Sequence, residues 1–185
     1  MNKKNKLLIQ DITQIGLLTA AIVILAQITI PMPAGVPMTL QTFIIPLVGI
    51  LLGARKGTLA SLIYLLLGAV GLPVFAGFSG GLGILFGITG GFLLSFPIMA
   101  YLAGKGAEKN RTVWLFGGLI TGAVINYIVG MCWFVVAAKS NFVAAFTACV
   151  LPFIPTAIIK ILLAGIIGKK LRSTLIKAHV LETAS

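Results

Sequence analysis

Acidic residues are almost missing from this chain. Asp11, Glu108 and Glu182 are the whole set among 185 residues, and His179 is the single histidine. That inventory leaves no general acid and base, no nucleophile with a base beside it, and no cluster of ligands with the spacing of a metal site. An enzyme is therefore not expected, and neither a cofactor nor a metal is. Cysteine is scarce too. Cys132 and Cys149 suit neither a disulfide scaffold nor a four-ligand site, and in apolar stretches a thiol behaves as a small hydrophobe. No GK[ST] follows a glycine-rich segment, which excludes a phosphate loop for nucleotides. Charged residues make up only 9% of the chain against 59% hydrophobic, and the mean hydropathy of +1.13 lies far outside the range of water-soluble domains. No linker, second domain or long repeat interrupts it.

What charge there is comes with one sign. A net charge of +11 would suit a nucleic-acid binder if the cations formed a stripe on a polar face with aromatics presented for stacking, but they cluster at the ends of apolar runs. That placement is a mark of membrane topology, and nucleic acid is excluded as a partner. The basic stretch Lys3, Lys4, Lys6 precedes an apolar run long enough to cross the bilayer, so it reads as a first anchor rather than a cleavable signal. The runs predict an all-α integral membrane protein, a single domain over 1–185 with six transmembrane helices at about 12–30, 39–53, 58–74, 88–103, 113–136 and 150–168. With the amino terminus inside, the cations of both tails, of the Arg55 turn and of the Lys105 to Arg111 turn fall in the cytoplasm, and only Lys139 faces outward. The second span is the weakest, being short and carrying Pro46.

Lys160 is the only cation inside a predicted span. Counted from Val150 it lies about 15 Å from the outer end, near the midplane, where a lysine costs about 2.5 to 3.5 kcal/mol on insertion scales. Snorkelling to the boundary exceeds its reach, and no acid lies within a span. A small anionic ligand entering from outside would supply the missing charge; hydrogen bonds to carbonyls or water are the alternative. On the fifth span Gly118, Gly122, Asn126 and Gly130 recur every four residues and form one stripe, where small residues admit a close helix. Asn126 lies at nearly the depth of Lys160 and serves either a ligand or an interhelical bond, and Tyr127 beside it is a further candidate ligand contact. The segment from Gly77 to Gly91 is too rich in glycine for ordinary helix, and irregular backbone at that level is tolerated where it lines a cavity or is buried in protein. Ser79 and Thr89 add hydroxyls there, and Phe75, Phe78 and Phe86 add apolar walls. Gly16 and Ala20 make a small-residue pair on the first span, suited to internal packing or to a partner helix.

These residues resemble a known family, the BioY-type S-components of energy-coupling-factor (ECF) transporters. The likeness covers nearly the whole chain through PAGVPMTLQT, LLGARKGTLASLIYLLLGAVGLPVFAGFSGGLG, GITGGFLLSF and PFIPTAIIK. It implies six helices in a prokaryotic plasma membrane, a biotin site near the outer face, and uptake driven by a transmembrane coupling subunit and two ATPase subunits, which alone use ATP. By the same resemblance Lys160 would face the biotin carboxylate. Thr39 and Gln41 of the first outer loop, with Phe75, Ser79, Gly80 and Gly81 of the glycine block, would enclose the ligand, and Gly16 and Ala20 would dock the coupling subunit. The chain departs from the family at Ala157, where members carry an acid three residues before the lysine, and at Ile88 and Phe92, where GPTGGY is common. Asn126, Ser79 or backbone carbonyls are then left to meet the ureido group. The runner-up is an S-component for another small anionic vitamin or a biotin precursor. A small channel or structural subunit is the reading from a different class.

Overall fold

The computed structural model describes residues 3–32 and 35–178; His179, Glu182, Pro33 and Ala34 lie outside them. The chain is mostly helical, in the order α1 (Lys3–Ala26), β1 (Thr29–Ile30), β2 (Met38–Thr39), α2 (Gln41–Leu52), α3 (Ala54–Ala69), α4 (Leu82–Leu85), α5 (Gly90–Leu94), α6 (Phe96–Glu108), α7 (Thr112–Ala137), α8 (Phe142–Cys149), a 3-10 turn (Leu151–Phe153) and α9 (Ile154–Lys177). Three segments have the length and hydropathy of membrane spans: Ile9–Ala26, Thr112–Ala137 and Phe142–Lys177. Their outward faces are apolar, with Leu17, Ile24, Val124, Ile128, Ile159 and Ile166 all exposed, as a helix facing lipid requires.

Several boundaries differ from the sequence expectation, each for a local reason. The first helix stops at Ala26 rather than near residue 30, because β-branched Thr29 and Ile30, followed by Pro31, pair antiparallel with Thr39 and Met38. The fourth run is two helices meeting at Ser95. Pro97, in the first turn of α6, has no N–H for the carbonyl four residues back, and α6 then continues through Lys105 to Glu108. The stretch between α7 and the sixth run holds α8, unanticipated, with Asn141 as its cap accepting from the Ala144 N–H at 2.8 Å. Pro152 and Pro155 delay the start of α9 to Ile154. Lys160 is consequently six residues into its helix, about 9 Å from the first residue, nearer that end than the expected mid-depth.

The shortest long run is the most buried element. α2 is 12 residues long, about 18 Å, and nearly every residue from Ile44 to Leu52 is covered by α1, α3, α6 and α9. Glycine makes this enclosure possible. A Cβ on Gly49 would strike the Ala100 carbonyl of α6, one on Gly57 the backbone of Gly49, and one on Gly104 the backbone of Gly53 and Ala54. Helices meeting backbone to backbone gain dispersion contact where lipid offers no hydrophobic driving force. Gly53, at φ 82, makes the one-residue reversal between α2 and α3, a left-handed conformation that a side chain would strain. The glycine stripe of α7 has the same use: Gly118 abuts Leu102, Gly122 abuts Met99, and Gly130 lies under the Phe92 ring.

Polar contacts fix the outer helices. Thr19 Oγ1 donates to the Ile15 carbonyl at 2.8 Å and approaches that of Ala60 at 3.3 Å, tying α1 to α3, and Asp11 pairs with Lys56 across the same interface. Glu108 accepts from the Ala54 N–H at 2.8 Å, tying the end of α6 to the start of α3. Replacing Gly49 by valine is expected to destabilise the bundle by about 1 to 3 kcal/mol through overpacking against α6, read as a lower thermal midpoint in detergent. Gly16→Ala, with nothing near its Cβ position, should keep that midpoint or raise it slightly, since alanine is the better helix former.

Candidate functional site

A cavity of about 310 Å³ opens at the end of the bundle where α2 and α9 begin. Thr39, Gln41 and Thr42 form one wall, Phe75, Ala76 and Ser79 a second, Ile84, Ile88, Thr89 and Phe92 a third; Asn126 and Tyr127 come from α7, Phe153 and Lys160 from the start of α9. Eight of the residues singled out from the sequence thus converge: Lys160, Asn126, Ser79, Thr89, Thr39, Gln41, Phe75 and Tyr127. Gly80 and Gly81 are outside the lining and shape its loop instead. Gly80 backs onto the Leu72 carbonyl, and Gly81 adopts φ 94 and donates to the Gly68 carbonyl at 2.7 Å. Phe78 and Phe86 are turned outward, 73% and 68% exposed, so of the three expected aromatic walls only Phe75 is one.

Lys160 stands on neutral acceptors. Its ammonium donates to the Thr39 carbonyl at 2.7 Å and to Thr42 Oγ1 at 3.1 Å. An ammonium has three donors, so these two bonds solvate it without neutralising it. The acids of the described residues are engaged elsewhere: Asp11 with Lys56, and Glu108 with the Ala54 N–H and, at 3.4 Å, with Lys105. The amino-terminal end of α2 also opens on the cavity, adding the partial positive charge of its helix dipole.

A buried chain of hydrogen bonds holds that wall in place. Thr39 Oγ1 donates to Gln41 Oε1 at 2.9 Å, and Gln41 Nε2 donates to the Tyr64 hydroxyl at 2.6 Å. The side chains of Thr39 and Gln41 are thus spent on each other and on Tyr64, which orients the carbonyl that receives Lys160. Tyr64 in turn meets Phe75 edge-on, with centroids 5.5 Å apart, and Gly68 lets the Phe75 ring lie against α3. Thr42 and Tyr64 were not anticipated from the sequence; Thr42 belongs to the same TLQT segment, whereas Tyr64 sits in an apolar run that offers no local signal.

Asn126 faces the same space from α7 and is 1% exposed. Its Nδ2 donates to the Phe92 carbonyl at 2.9 Å and to Ser95 Oγ at 2.7 Å, so the interhelical bond exists. Because a backbone carbonyl can only accept, this contact fixes which way the amide points. Oδ1 is left buried and without a hydrogen-bond partner among the described residues. The glycine block is pinned from behind by two more residues that the sequence did not flag. Trp133 Nε1 donates to the Gly87 carbonyl at 2.9 Å, and Gln27 donates to the Val74 carbonyl at 3.1 Å while accepting from the Phe78 N–H at 2.8 Å. Ser79 bridges to Phe75 through its carbonyl and turns its own hydroxyl to Ala76 at 2.9 Å.

Among the described residues no group of three or more His, Cys, Asp or Glu is placed to hold a metal ion. Cys132 and Cys149 are both free, the second buried beside the cavity. Gly16 and Ala20 are far from this chemistry, exposed on the outer face of α1.

Comparison with known proteins adds identity to this geometry. A biotin transporter BioY of Thermotoga maritima is 38% identical over 165 residues, covering 88% of this chain and 96% of its own length. A probable biotin transporter BioY of Pyrococcus horikoshii is 40% identical over 163 residues, with the same coverage of 88% and 96%. In three dimensions the chain resembles the crystal structure of the S-component for biotin from an ECF-type ABC transporter, with a TM-score of 0.83 at 28% identity, covering 94% of this chain and 95% of that one. The sequence pattern of the BioY family matches residues 1–177. With that match, and with apolar helices around an uncompensated cation, the chain belongs to the BioY family of membrane transport proteins.

Proposed function

We propose that this chain takes up biotin as the substrate-binding subunit of an ECF-type ABC transporter, holding it in the cavity between α2, α7 and α9. The observation that carries the reading is the presence in one mostly apolar cavity of Lys160, a cation with no carboxylate partner among the described residues, and Asn126, an amide whose oxygen has no donor among them. Biotin presents complementary groups: a carboxylate for the ammonium, a fused ring system for Phe75, Phe92 and Tyr127, and ureido N–H groups for Asn126 Oδ1. About 310 Å³ is at the lower end of the roughly 300 to 1,000 Å³ typical of small-molecule sites. Thr39 and Gln41 act as the frame that aims Lys160, and the Ser79 loop with Gly80 and Gly81 closes the side.

The chain crosses the membrane six times, as α1, α2, α3, α5 with α6, α7, and α9, with both ends in the cytoplasm. Supporting this, four cationic segments share one end of the bundle. Asp11 and Lys56 join the α1 start to the α2–α3 turn, Glu108 joins the α6 end to that turn, and Arg172 reaches the Ile50 carbonyl from the end of α9. Lys139 lies at the other end. Translocation is powered by a membrane coupling subunit and ATPases, since the sequence has no nucleotide loop, and Gly16 with Ala20 offers the exposed small-residue face that a partner helix needs. Ala157 in place of an acid favours a second reading, a biotin precursor as ligand, which competition against bound biotin would reveal.

Lys160→Ala is expected to weaken biotin about ten- to a hundredfold, the value of a hydrogen bond to a charged group, in equilibrium binding to the purified protein. The wild type should prefer biotin to its methyl ester and the variant should not; an unchanged preference would remove the carboxylate assignment. Asn126→Ala should lower affinity for biotin and its ester alike. Gly16→Leu with Ala20→Leu should keep binding but abolish uptake of radiolabelled biotin in cells that supply the coupling subunits.

A further inference from the structure

A second cavity, of about 340 Å³, lies at the opposite end of the bundle, between the start of α7 and the end of α9. Asn126 is 14 residues along α7 from Thr112, and Lys160 is 12 residues along α9 from Arg172, so the two cavities are separated by about 20 Å. Four cations line the second one, Arg111, Lys169, Arg172 and Lys177, and among the described residues no carboxylate lines it. Ile50, Leu115 and Ile176 supply an apolar floor.

Arg172 is what makes this more than a patch of solvated charge. It is 9% exposed, and its Nη1 donates to the Ile50 carbonyl at 2.5 Å and the Leu51 carbonyl at 3.2 Å, while its Nε is buried with no partner among the described residues. The guanidinium is therefore anchored by one nitrogen with donor capacity in reserve. Glu108 is close enough for its charge to act on Arg172, yet it is already held by the Ala54 N–H and Lys105, which leaves the cation excess largely in place. Lys169 is posted at the rim, donating to Thr112 Oγ1 at 2.8 Å.

The surroundings set the depth. Tyr101 and Trp114 are exposed beside this end, each with a lysine ammonium, Lys105 and Lys109, 5.8 Å from the ring centroid. Amphipathic aromatics with flanking lysines occupy the headgroup level of a bilayer. Val113 on α7 and Ile166 and Leu171 on α9 are exposed toward the same end, apolar surface of the kind that meets acyl chains. A cavity with a basic lining, an apolar floor and a mouth at headgroup depth matches an anionic headgroup whose tails lie along α7 and α9.

We infer that the cavity formed by Arg111, Lys169, Arg172 and Lys177 is a phosphate-binding site, filled by the headgroup of an anionic phospholipid of the adjacent leaflet. The same chemistry accepts free inorganic phosphate. Arg111, at the cap of α7, and Lys169, on α9, clamp the phosphate, and Arg172, anchored on the carboxy-terminal carbonyls of α2, turns its remaining donors to it. The site is independent of the biotin cavity, and its test needs no biotin.

Native mass spectrometry of the purified chain with added phosphatidylglycerol or phosphatidylcholine reads the occupant directly. Each basic side chain near an anionic headgroup contributes about a factor of five, so Arg111→Gln with Lys169→Gln should weaken phosphatidylglycerol by about twenty-five-fold and leave phosphatidylcholine unchanged. Lys177→Gln, at an exposed position, is the milder second variant and should give about fivefold. Inorganic phosphate titrated in neutral detergent forms the other arm. If it raises the thermal midpoint of the wild type and not of the variants while lipids show no preference, the site is upheld with free phosphate as its occupant. Equal retention of phosphatidylglycerol by wild type and variants, with no phosphate effect, would overturn it.

Discussion

An ammonium that is solvated but not neutralised is the constraint on which the cavity end of this protein depends. Lys160 rests on the Thr39 carbonyl and the Thr42 hydroxyl, and both are held by the geometry of the β2–α2 junction. Burying a charge among neutral dipoles is tolerable only if those dipoles are fixed, because a mobile acceptor in an apolar setting gives little compensation. The Thr39, Gln41 and Tyr64 relay supplies that fixity, and Phe75 meets the Tyr64 ring edge-on behind it. Removing any one of these groups would disturb the lysine without touching it.

The same helix is clamped by a cation at each end. Lys160 and Arg172 both project from α9, the first onto residues at the start of α2 and the second onto the carbonyls of Ile50 and Leu51 at its end. α2 and α9 therefore run parallel, in register over about 18 Å. The two ends differ electrostatically. Arg172 meets the negative end of the α2 dipole, which offsets part of its charge and leaves the surrounding Arg111, Lys169 and Lys177 in excess, whereas Lys160 meets the positive end, which offsets none. An anion is favoured at the first site by lysine and helix end together, which is why the chemistry of uptake is proposed there.

Both arrangements rest on backbone contact. Gly49, Gly57 and Gly104 bring α2, α3 and α6 so close that no side chain intervenes, and this buries α2 from Ile44 to Leu52 despite its short length. A helix of about 18 Å cannot cross a hydrocarbon layer of about 30 Å in contact with lipid. Enclosed by its neighbours it does not have to face lipid, and its Pro46 is sheltered with it.

Much of this was legible in the order of residues. Apolar runs with cations at their ends specify helices in lipid, because hydropathy and charge act locally on insertion. The shortage of acids leaves no carboxylate within an apolar run to pair with Lys160, and the four-residue spacing of Gly118, Gly122, Asn126 and Gly130 declares one close-packed face. The family likeness rested on loop motifs that keep their spelling because glycine and proline dictate backbone shape. Tertiary structure alone decided the rest. It brought Tyr64 under Gln41, turned Phe78 and Phe86 outward, spent the Thr39 and Gln41 side chains on the frame, and gathered Arg111, Lys169 and Arg172 around a second cavity. The reason is physical: which side of a helix meets which neighbour depends on pairwise packing between segments tens of residues apart, and an apolar sequence marks that a residue is buried without marking what it is buried against.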